Sequence, residues 1–183
     1  MIAGWWALGV LGFTFIEYVH HRHGGHLRKM GPRVLSSHRD HHADPLDGGA
    51  TYVDKLRYRA PLVLGVLVVL AVPALALLGA WAGSWLSAGL LSGYLYSEWF
   101  HNRMHHVPPR GPWARFMARY HYVHHFVDPS VNYGFTSPLW DFVFGTAKLE
   151  AKVSVPRTMA PRGMTERDGF TLVGPARSTS DPR

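Results

Sequence analysis

The chain has 183 residues, enough for one domain, and 47% of them are hydrophobic while only 17% are charged, which is apolar for a water-soluble domain. Its net charge of +7 could suit nucleic acid, but the cations adjoin long apolar runs, so a nucleic-acid partner is not expected. The chain has no cysteine, which excludes disulfides and thiolate ligands. Any bound metal must therefore be held by histidine, aspartate or glutamate.

Three runs without a charged residue follow one another along the chain: Ile2–Ile16, Leu62–Leu78 and Trp81–Ser97. Each is near the short end of what crosses the hydrocarbon core of a bilayer, so the flanking tryptophans would lie at the interfaces. The runs predict an all-α, multi-pass membrane protein with about three transmembrane helices. Buried core helices of a soluble protein are the alternative. The first run lacks the basic start and the cleavage site of a signal peptide and is expected to remain in the mature chain.

The lysines and arginines indicate an orientation for these runs, because they concentrate between the first two runs and after the third. This positive-inside pattern places His20–Ala60 and the chain after Phe100 in the cytoplasm, with a hairpin to the other side around Leu78–Trp85. All 13 histidines then fall on one side of the membrane. We expect an integral membrane protein whose metal site lies on the cytoplasmic side.

The pattern His-x-x-His-His occurs twice, as "HRDHH" at His38–His42 and as "HYVHH" at His121–His125. With 13 histidines in 183 residues, chance predicts roughly 0.06 copies of this pattern. On a helix, residues three and four apart share one face, so each triplet would direct two or three imidazoles toward the same place. The repeated pattern therefore predicts metal binding.

Four groups of histidines can be distinguished, two after the first apolar run and two after the third. Together they offer ten imidazoles, more than the six ligands of an octahedral ion, so their number predicts two metal ions. The candidate ligands are His21, His26, His38, His41, His42, His101, His105, His121, His124 and His125. His20, His23 and His106 remain for orienting the ligands or handling protons.

The residues alone leave the type of metal open, because imidazole suits zinc, iron, copper and nickel. A carboxylate-bound di-iron bundle is an alternative, since Glu-x-x-His begins at both Glu17 and Glu98. That arrangement needs two further inward-facing glutamates, and the only others are Glu150 and Glu166, near or in the C-terminal segment. The histidine-rich site is therefore preferred, and Glu17 and Glu98 are expected to orient ligands.

Four stretches carry a family resemblance: "EYVHHRHGGH", "HRDHHADPLD", "EWFHNRMHH" and "HYVHHFVDPSVNYGFTSPLWDFVFGT". They resemble the histidine boxes and the closing segment of the fatty acid hydroxylase and sterol desaturase superfamily of membrane di-iron oxygenases. Within that superfamily the chain is most similar to the fatty acid 2-hydroxylases. The resemblance extends from Glu17 to Thr146.

The resemblance implies that the ten histidines hold two iron ions, with no catalytic side chain beyond the metal centre. Zinc is expected to enter such a site readily in purified protein. The family's closing segment corresponds to Asn132, Tyr133, Gly134, Trp140 and Asp141. The side chains expected behind the ligands are Glu17, His20, Glu98, His106, Asn132 and Asp141.

The implied reaction is the hydroxylation of an unactivated C–H bond of a lipid by O2, at the 2-position of a fatty acyl chain. The fused cytochrome b5 domain of some family members is not recognisable here, so electrons are expected from an external donor, cytochrome b5-like or ferredoxin-like. A sterol or carotenoid hydroxylase or desaturase of the same superfamily is an alternative. A non-enzymatic membrane metal-binding or transport protein is another.

The domain organisation follows from a change in composition. Residues 1–150 are predicted to form the membrane hydroxylase domain. Residues 151–183 are rich in proline, arginine, serine, threonine and glycine, which is typical of a flexible C-terminal tail.

Overall fold

The computed structural model describes residues 2–27, 29–46, 52–167 and 169–175, with the backbone alone at residues 33 and 52–63. The fold is mostly helical, with one pair of strands. In chain order the elements are α1 (Ile2–Val19), a π-helix (His20–His26), α2 (Pro32–Ala43), α3 (Tyr52–His106), α4 (Pro112–Phe126), α5 (Leu139–Val143), β1 (Val153–Pro156) and β2 (Phe170–Val173). The chain divides into two compact units, residues 1–17 with 50–99 and residues 18–49 with 100–183.

The first unit contains the apolar helices. Two stretches are long and apolar enough to cross a membrane, Ile2–His26 and Leu64–His106. Large apolar side chains on these helices are exposed, with Leu77 at 83% and Val69 at 69% of full accessibility. Exposed apolar surface of this extent is typical of a helix that faces lipid rather than water. It argues against the alternative of buried core helices and fits a membrane protein.

The helix α3 is broken at Gly79, whose φ of 79° lies in the left-handed region that glycine adopts without strain. A Cβ atom added at Gly83 would lie 2.7 Å from the carbonyl oxygen of Ala74, although nine residues of straight helix would separate the two by about 13 Å. The chain therefore reverses at Gly79, inside the predicted hairpin at Leu78–Trp85. The three apolar runs form three helical segments, and the number of membrane crossings stays a prediction.

The helix α1 packs closely against the second half of α3. At the crossing, Gly9 faces Gly89, and a Cβ atom on Gly89 would lie 2.1 Å from the carbonyl oxygen of Trp6. Small residues let two helix backbones approach this closely, which is a common device in membrane helix pairs. A short apolar core follows the crossing, formed by Phe13, Leu90 and Tyr94.

The second unit contains the π-helix, α2, the end of α3, α4, α5 and both strands. Its core surrounds α4, on which Met117, Tyr122 and Val123 are fully buried. Each strand contributes to this core: Val155 of β1 is fully buried, and Phe170 of β2 is 5% exposed.

The paired strands correct two expectations from the sequence. The fold is not all-α, because β1 and β2 pair in parallel with Val153 opposite Phe170. Residues 151–167 and 169–175 are also not a tail with little structure, because alternate residues of β1 are buried in the core. Residues 168 and 176–183 lie outside the described part of the chain, and the domain boundary at 150 stays a prediction.

Candidate metal centre

The π-helix places two histidines with unusual spacing on one face. In an α-helix, His21 and His26 would be rotated by about 140° from each other. The i→i+5 bonding of a π-helix widens the turn, as in the bond from the Leu27 amide to the Arg22 carbonyl at 3.0 Å, and brings residues five apart together. The two glycines at 24 and 25 lie inside this element.

The close approach of His38 to the π-helix explains one of these glycines. A Cβ atom added at Gly25 would lie 2.8 Å from the Cδ2 atom of the His38 ring, which is too close for any side chain. Gly25 therefore leaves the space that the imidazole of His38 occupies.

The two His-x-x-His-His triplets lie on α2 and α4, and helical geometry divides each of them in the same way. The first and last histidines are four apart and share a face, whereas the middle one is rotated by about 100° from its neighbour. Each triplet therefore serves two places at once. The sequence predicts that two or three imidazoles of each triplet point toward the same place; two of each triplet do, and the middle one belongs to the other group of histidines.

All ten candidate ligands from the sequence fall into two clusters of five, and in each cluster one ring nitrogen from every histidine lies within 4.8 Å of the others. We call them the first cluster and the second cluster. The first cluster consists of His21, His26, His38, His42 and His124. The second cluster consists of His41, His101, His105, His121 and His125.

The spacing of the ring nitrogens tests whether these residues fit a metal ion. Neighbouring Nε2 atoms are 2.7 to 3.2 Å apart in the first cluster. They are 3.0 to 3.3 Å apart in the second cluster. Two nitrogens bound at right angles to a metal at about 2.1 Å lie about 3.0 Å apart, whereas a tetrahedral angle separates them by about 3.4 Å. The donor sets therefore fit an ion with five or six ligands better than a four-coordinate structural zinc.

Hydrogen bonds to backbone carbonyls assign the proton on two ligands of the first cluster. The Nδ1 atom of His21 lies 2.5 Å from the carbonyl oxygen of Tyr133, and that of His124 lies 2.7 Å from the carbonyl oxygen of Val131. A carbonyl oxygen can only accept, so each Nδ1 must carry the proton and donate. The Nε2 atom of each neutral ring then offers a lone pair to the centre of the cluster.

Some ligands of the second cluster have buried nitrogens without a hydrogen-bond partner among the described residues. Among these nitrogens are Nδ1 of His121 and both ring nitrogens of His125. Leaving buried polar atoms unpaired is costly. A cation at the centre of the cluster would bind the inward-facing nitrogen of His125.

The pKa values of several clustered histidines are lowered, and burial is the largest cause in each case. Burial lowers the pKa of His42 to about 4. Burial, followed by the repulsion from neighbouring histidines, also brings the pKa values of His38, His121, His124 and His125 well below the ordinary value. These imidazoles are therefore neutral at pH 7, the form that binds metals.

Five other predicted residues lie outside both clusters. His20 and His106 are exposed, and the Nδ1 atom of His106 donates to a carbonyl of its own helix at 2.8 Å. His23 lies in the π-helix and joins neither cluster. Glu17 and Glu98 belong to the first unit, in which Glu17 is buried. That these side chains orient ligands stays a prediction.

Asn132 and Asp141 are both fully buried and bind the backbone around them. The side-chain amide of Asn132 donates to the carbonyls of Tyr120 at 3.0 Å and Lys148 at 2.9 Å. The carboxylate of Asp141 accepts from the amides of Tyr133–Gly134 at 2.8 and 2.7 Å. Burial raises the pKa of Asp141, and these hydrogen bonds oppose that shift.

Several residues that contact the clusters or their supports were not predicted from the sequence. The ring of Phe135 stacks on His101 with centroids 4.4 Å apart and also contacts His21 and His121, so it touches both clusters. Val131 was also missed, and Tyr133 was expected in the closing segment but not as a carbonyl acceptor for a histidine. No pattern of side chains could have indicated these two, because every residue carries a carbonyl group.

A chain of hydrogen bonds, also missed, links the π-helix to Asp141. Arg22 donates to the hydroxyl of Tyr18 at 2.7 Å, which lies 3.1 Å from the hydroxyl of Thr146. Thr146 in turn donates to Asp141 at 2.7 Å. The "EYVHHRHGGH" box therefore supplies supporting side chains as well as histidines.

The chain is mostly helical, with long apolar helices and two five-histidine clusters that could hold two metal ions. These features are those of a histidine-box membrane protein. Comparison with known proteins specifies the group further: the sequence profile described as fatty acid hydroxylase matches residues 6–146. The chain belongs to the fatty acid hydroxylase family. The resemblance seen in the sequence is thereby confirmed.

Individual relatives agree with this placement. The dihydroceramide fatty acyl 2-hydroxylase FAH2 of Arabidopsis thaliana is 34% identical over 76% of this chain and 59% of its own length. FAH1 of the same plant, with the same description, is 31% identical over 85% of this chain and 62% of its own length. The solved structure of full-length scs7p, in which only the hydroxylase domain is visible, matches with a TM-score of 0.64 and 27% identity, over 87% of this chain and 58% of that one. The chain thus spans about 60% of the length of these two plant relatives.

Proposed function

We propose that this protein hydroxylates the carbon next to the carbonyl, the 2-position, of a lipid-linked fatty acyl chain. It uses two iron ions, O2 and electrons from an external donor. The observation that carries the proposal is the pair of five-histidine clusters in a chain of the fatty acid hydroxylase family. The two plant relatives, which are dihydroceramide fatty acyl 2-hydroxylases by name, support the position of attack.

Each cluster would hold one ion through its five inward-facing imidazoles. Bound iron supplies the activation of dioxygen, which no amino-acid side chain can perform. We propose iron rather than zinc as the working metal because zinc has no redox chemistry, although neutral imidazoles also accept zinc.

The protein's own residues prepare the site for this ion. The carbonyls of Val131 and Tyr133 hold two imidazoles with their lone pairs directed inward. The ring of Phe135 covers part of both clusters with apolar surface, which limits the access of water.

We further propose that the protein crosses the membrane through its three apolar helical segments, with both clusters on the cytoplasmic side. The distribution of lysine and arginine supports this orientation. An electron donor, cytochrome b5-like or ferredoxin-like, would then approach from the cytoplasm. A metal transporter would need ligands near the middle of its apolar segments, whereas the histidines of the stretches Ile2–His26 and Leu64–His106 lie at their ends, within residues 20–26 and 101–106.

Mass spectrometry of lipids tests the reaction. A host without 2-hydroxylated lipids would express the protein under ¹⁸O-labelled dioxygen, and released fatty acids would be fragmented to locate the label. We expect one labelled hydroxyl at the 2-position, absent from cells with the His41→Ala variant. Label at mid-chain or on a sterol ring, or a new double bond instead of a hydroxyl, would contradict the proposed position of attack.

A further inference from the structure

We propose that residues 131–133 form a strap that positions the first cluster, with Asn132 and Asp141 as the positioning residues that hold it. The inference rests on the proposed function only in that the first cluster holds a metal ion. A backbone segment and two side chains thereby determine the geometry inside that cluster. In the hydrogen bonds described above, neither side chain binds a histidine ring nitrogen.

The strap reaches two ligands from one short segment. The carbonyl of Val131 accepts from His124, which lies on α4, and the carbonyl of Tyr133 accepts from His21, which lies on the π-helix. The strap therefore connects two ligands that are about 100 residues apart in sequence. Both bonds fix the same tautomer and direct both Nε2 atoms into the first cluster.

The backbone of the strap bends sharply at Asn132. Its φ of 56° lies in the left-handed region, and no other non-glycine residue in the described part of the chain has a positive φ. Asparagine tolerates this conformation better than most residues, whereas alanine does not. The bend lies between the two carbonyls that meet the histidines.

Side-chain hydrogen bonds hold the bend from both sides. The amide of Asn132 binds the carbonyls of Tyr120 and Lys148, and its oxygen accepts from the Lys148 amide at 2.7 Å. Asp141 accepts from the two amides that follow Asn132. Because both side chains are buried and satisfied, they hold the strap in a single position.

The second cluster provides the internal control. The strap's hydrogen bonds to ring nitrogens go to His21 and His124, both in the first cluster, whereas Nδ1 of His121 and of His125 has no partner among the described residues. Loss of the strap should therefore weaken metal binding in the first cluster selectively. General loosening of the fold would weaken both clusters.

The test measures each cluster alone, with zinc as a redox-inert probe and a competing chelator. The His41→Ala variant should retain one zinc, in the first cluster, and the His124→Ala variant should retain one, in the second cluster. Adding Asn132→Ala should weaken zinc binding by about 10- to 100-fold in the His41→Ala protein, the usual effect of losing a residue behind a ligand. In the His124→Ala protein, which lacks one of the two strapped ligands and holds its zinc in the second cluster, the same Asn132→Ala substitution should change zinc binding by less than about 2-fold.

Two further measurements separate positioning from misfolding. Asp141→Asn keeps the shape of the side chain and should weaken the first cluster in the same direction, by a smaller factor. In protein labelled with ¹⁵N-histidine, the Nδ1–H signals of His21 and His124, with the shift of a strong hydrogen bond, should be present in the His41→Ala protein and absent after Asn132→Ala, whereas the signal of His106, whose Nδ1 donates within its own helix, should not change. These signals report the tautomer directly.

Each outcome is decisive. Equal weakening of both clusters, or unchanged affinity of the first cluster with both Nδ1–H signals retained, would overturn the strap while leaving the proposed function intact. If the single variants His41→Ala and His124→Ala do not each retain one zinc, the division into two clusters fails, and the inference fails with it.

Discussion

The crossing of α1 and α3 predicts a clear effect for one added methyl group. In the Gly89→Ala variant, the new Cβ atom would lie 2.1 Å from the carbonyl oxygen of Trp6 and 2.9 Å from the Cα atom of Gly9. An ordinary contact between carbon and carbonyl oxygen is about 3.3 Å, so the two helices would have to move apart by roughly 1 Å. The contacts of the neighbouring apolar core would weaken as a result.

The expected magnitude is the difference between two opposing effects. Forcing a methyl group into a packed interface costs about 1–3 kcal/mol, whereas alanine is favoured over glycine within a helix by about 1 kcal/mol. Because the clash is with backbone atoms that cannot rotate away, we expect a net loss of about 1–2 kcal/mol in the free energy of unfolding.

Gly4 on α1, the helix that Gly89 faces, is the matched control, since nothing lies within 4 Å of a Cβ atom added there. Gly4→Ala should leave stability unchanged or raise it by up to about 1 kcal/mol. Unfolding of both variants in mixed micelles, titrated with a denaturing detergent and followed by circular dichroism, gives the comparison. A Gly89→Ala protein at least as stable as the Gly4→Ala protein would refute the close packing of these helices.

Three further predictions concern the clusters. Replacing His124 or His41 by alanine should in each case remove one metal ion and abolish hydroxylation, whereas the His23→Ala variant should retain most of the metal. Elemental analysis of the three variants measures this, and an equal loss of metal in the His23→Ala variant would contradict the ligand set. Metal occupancy and activity should disagree when zinc fills the site, and replacing zinc with iron(II) under anaerobic conditions should restore turnover; zinc-loaded protein as active as iron-loaded protein would contradict the choice of metal. The stability of the metal-free protein should fall as the pH drops from 7.5 to 5. Burial lowers the pKa of His42 to about 4 in the folded protein, whereas its imidazole in the unfolded chain takes up a proton below about pH 6.5. An equal melting temperature at both pH values would contradict the neutral, buried imidazoles.

Much of the helical architecture could be predicted because apolar runs report directly on burial or lipid contact. The run Ile2–Ile16 corresponds to α1, and the two later runs lie in α3 on either side of its break at Gly79. The C-terminal segment was harder to predict. It is rich in proline, glycine and polar residues, which do not indicate its two strands of only four residues each. These strands are stabilised by contacts with α4, which a local sequence pattern does not show.

The sequence also identified which histidines come together, but not how they divide. Spacing predicts a shared face only if the type of helix is known, and the separation of His21 from His26 requires a π-helix that their spacing alone did not indicate. The division of each triplet between two clusters depends on where the other helices lie. The hydrogen bonds from His21 and His124 to carbonyls depend on the bend at Asn132, which composition does not reveal.

Locating the metal ions is the most direct test of the central claim that two five-histidine clusters each bind one ion. Anomalous diffraction from crystals of iron-loaded protein, collected on both sides of the iron absorption edge, would give the number and positions of the ions. The account predicts two peaks per chain, one surrounded by the ring nitrogens of the first cluster and one by those of the second, each about 2.0–2.2 Å from its ligands. A single peak, or a peak held by carboxylates with the histidines turned away, would contradict it.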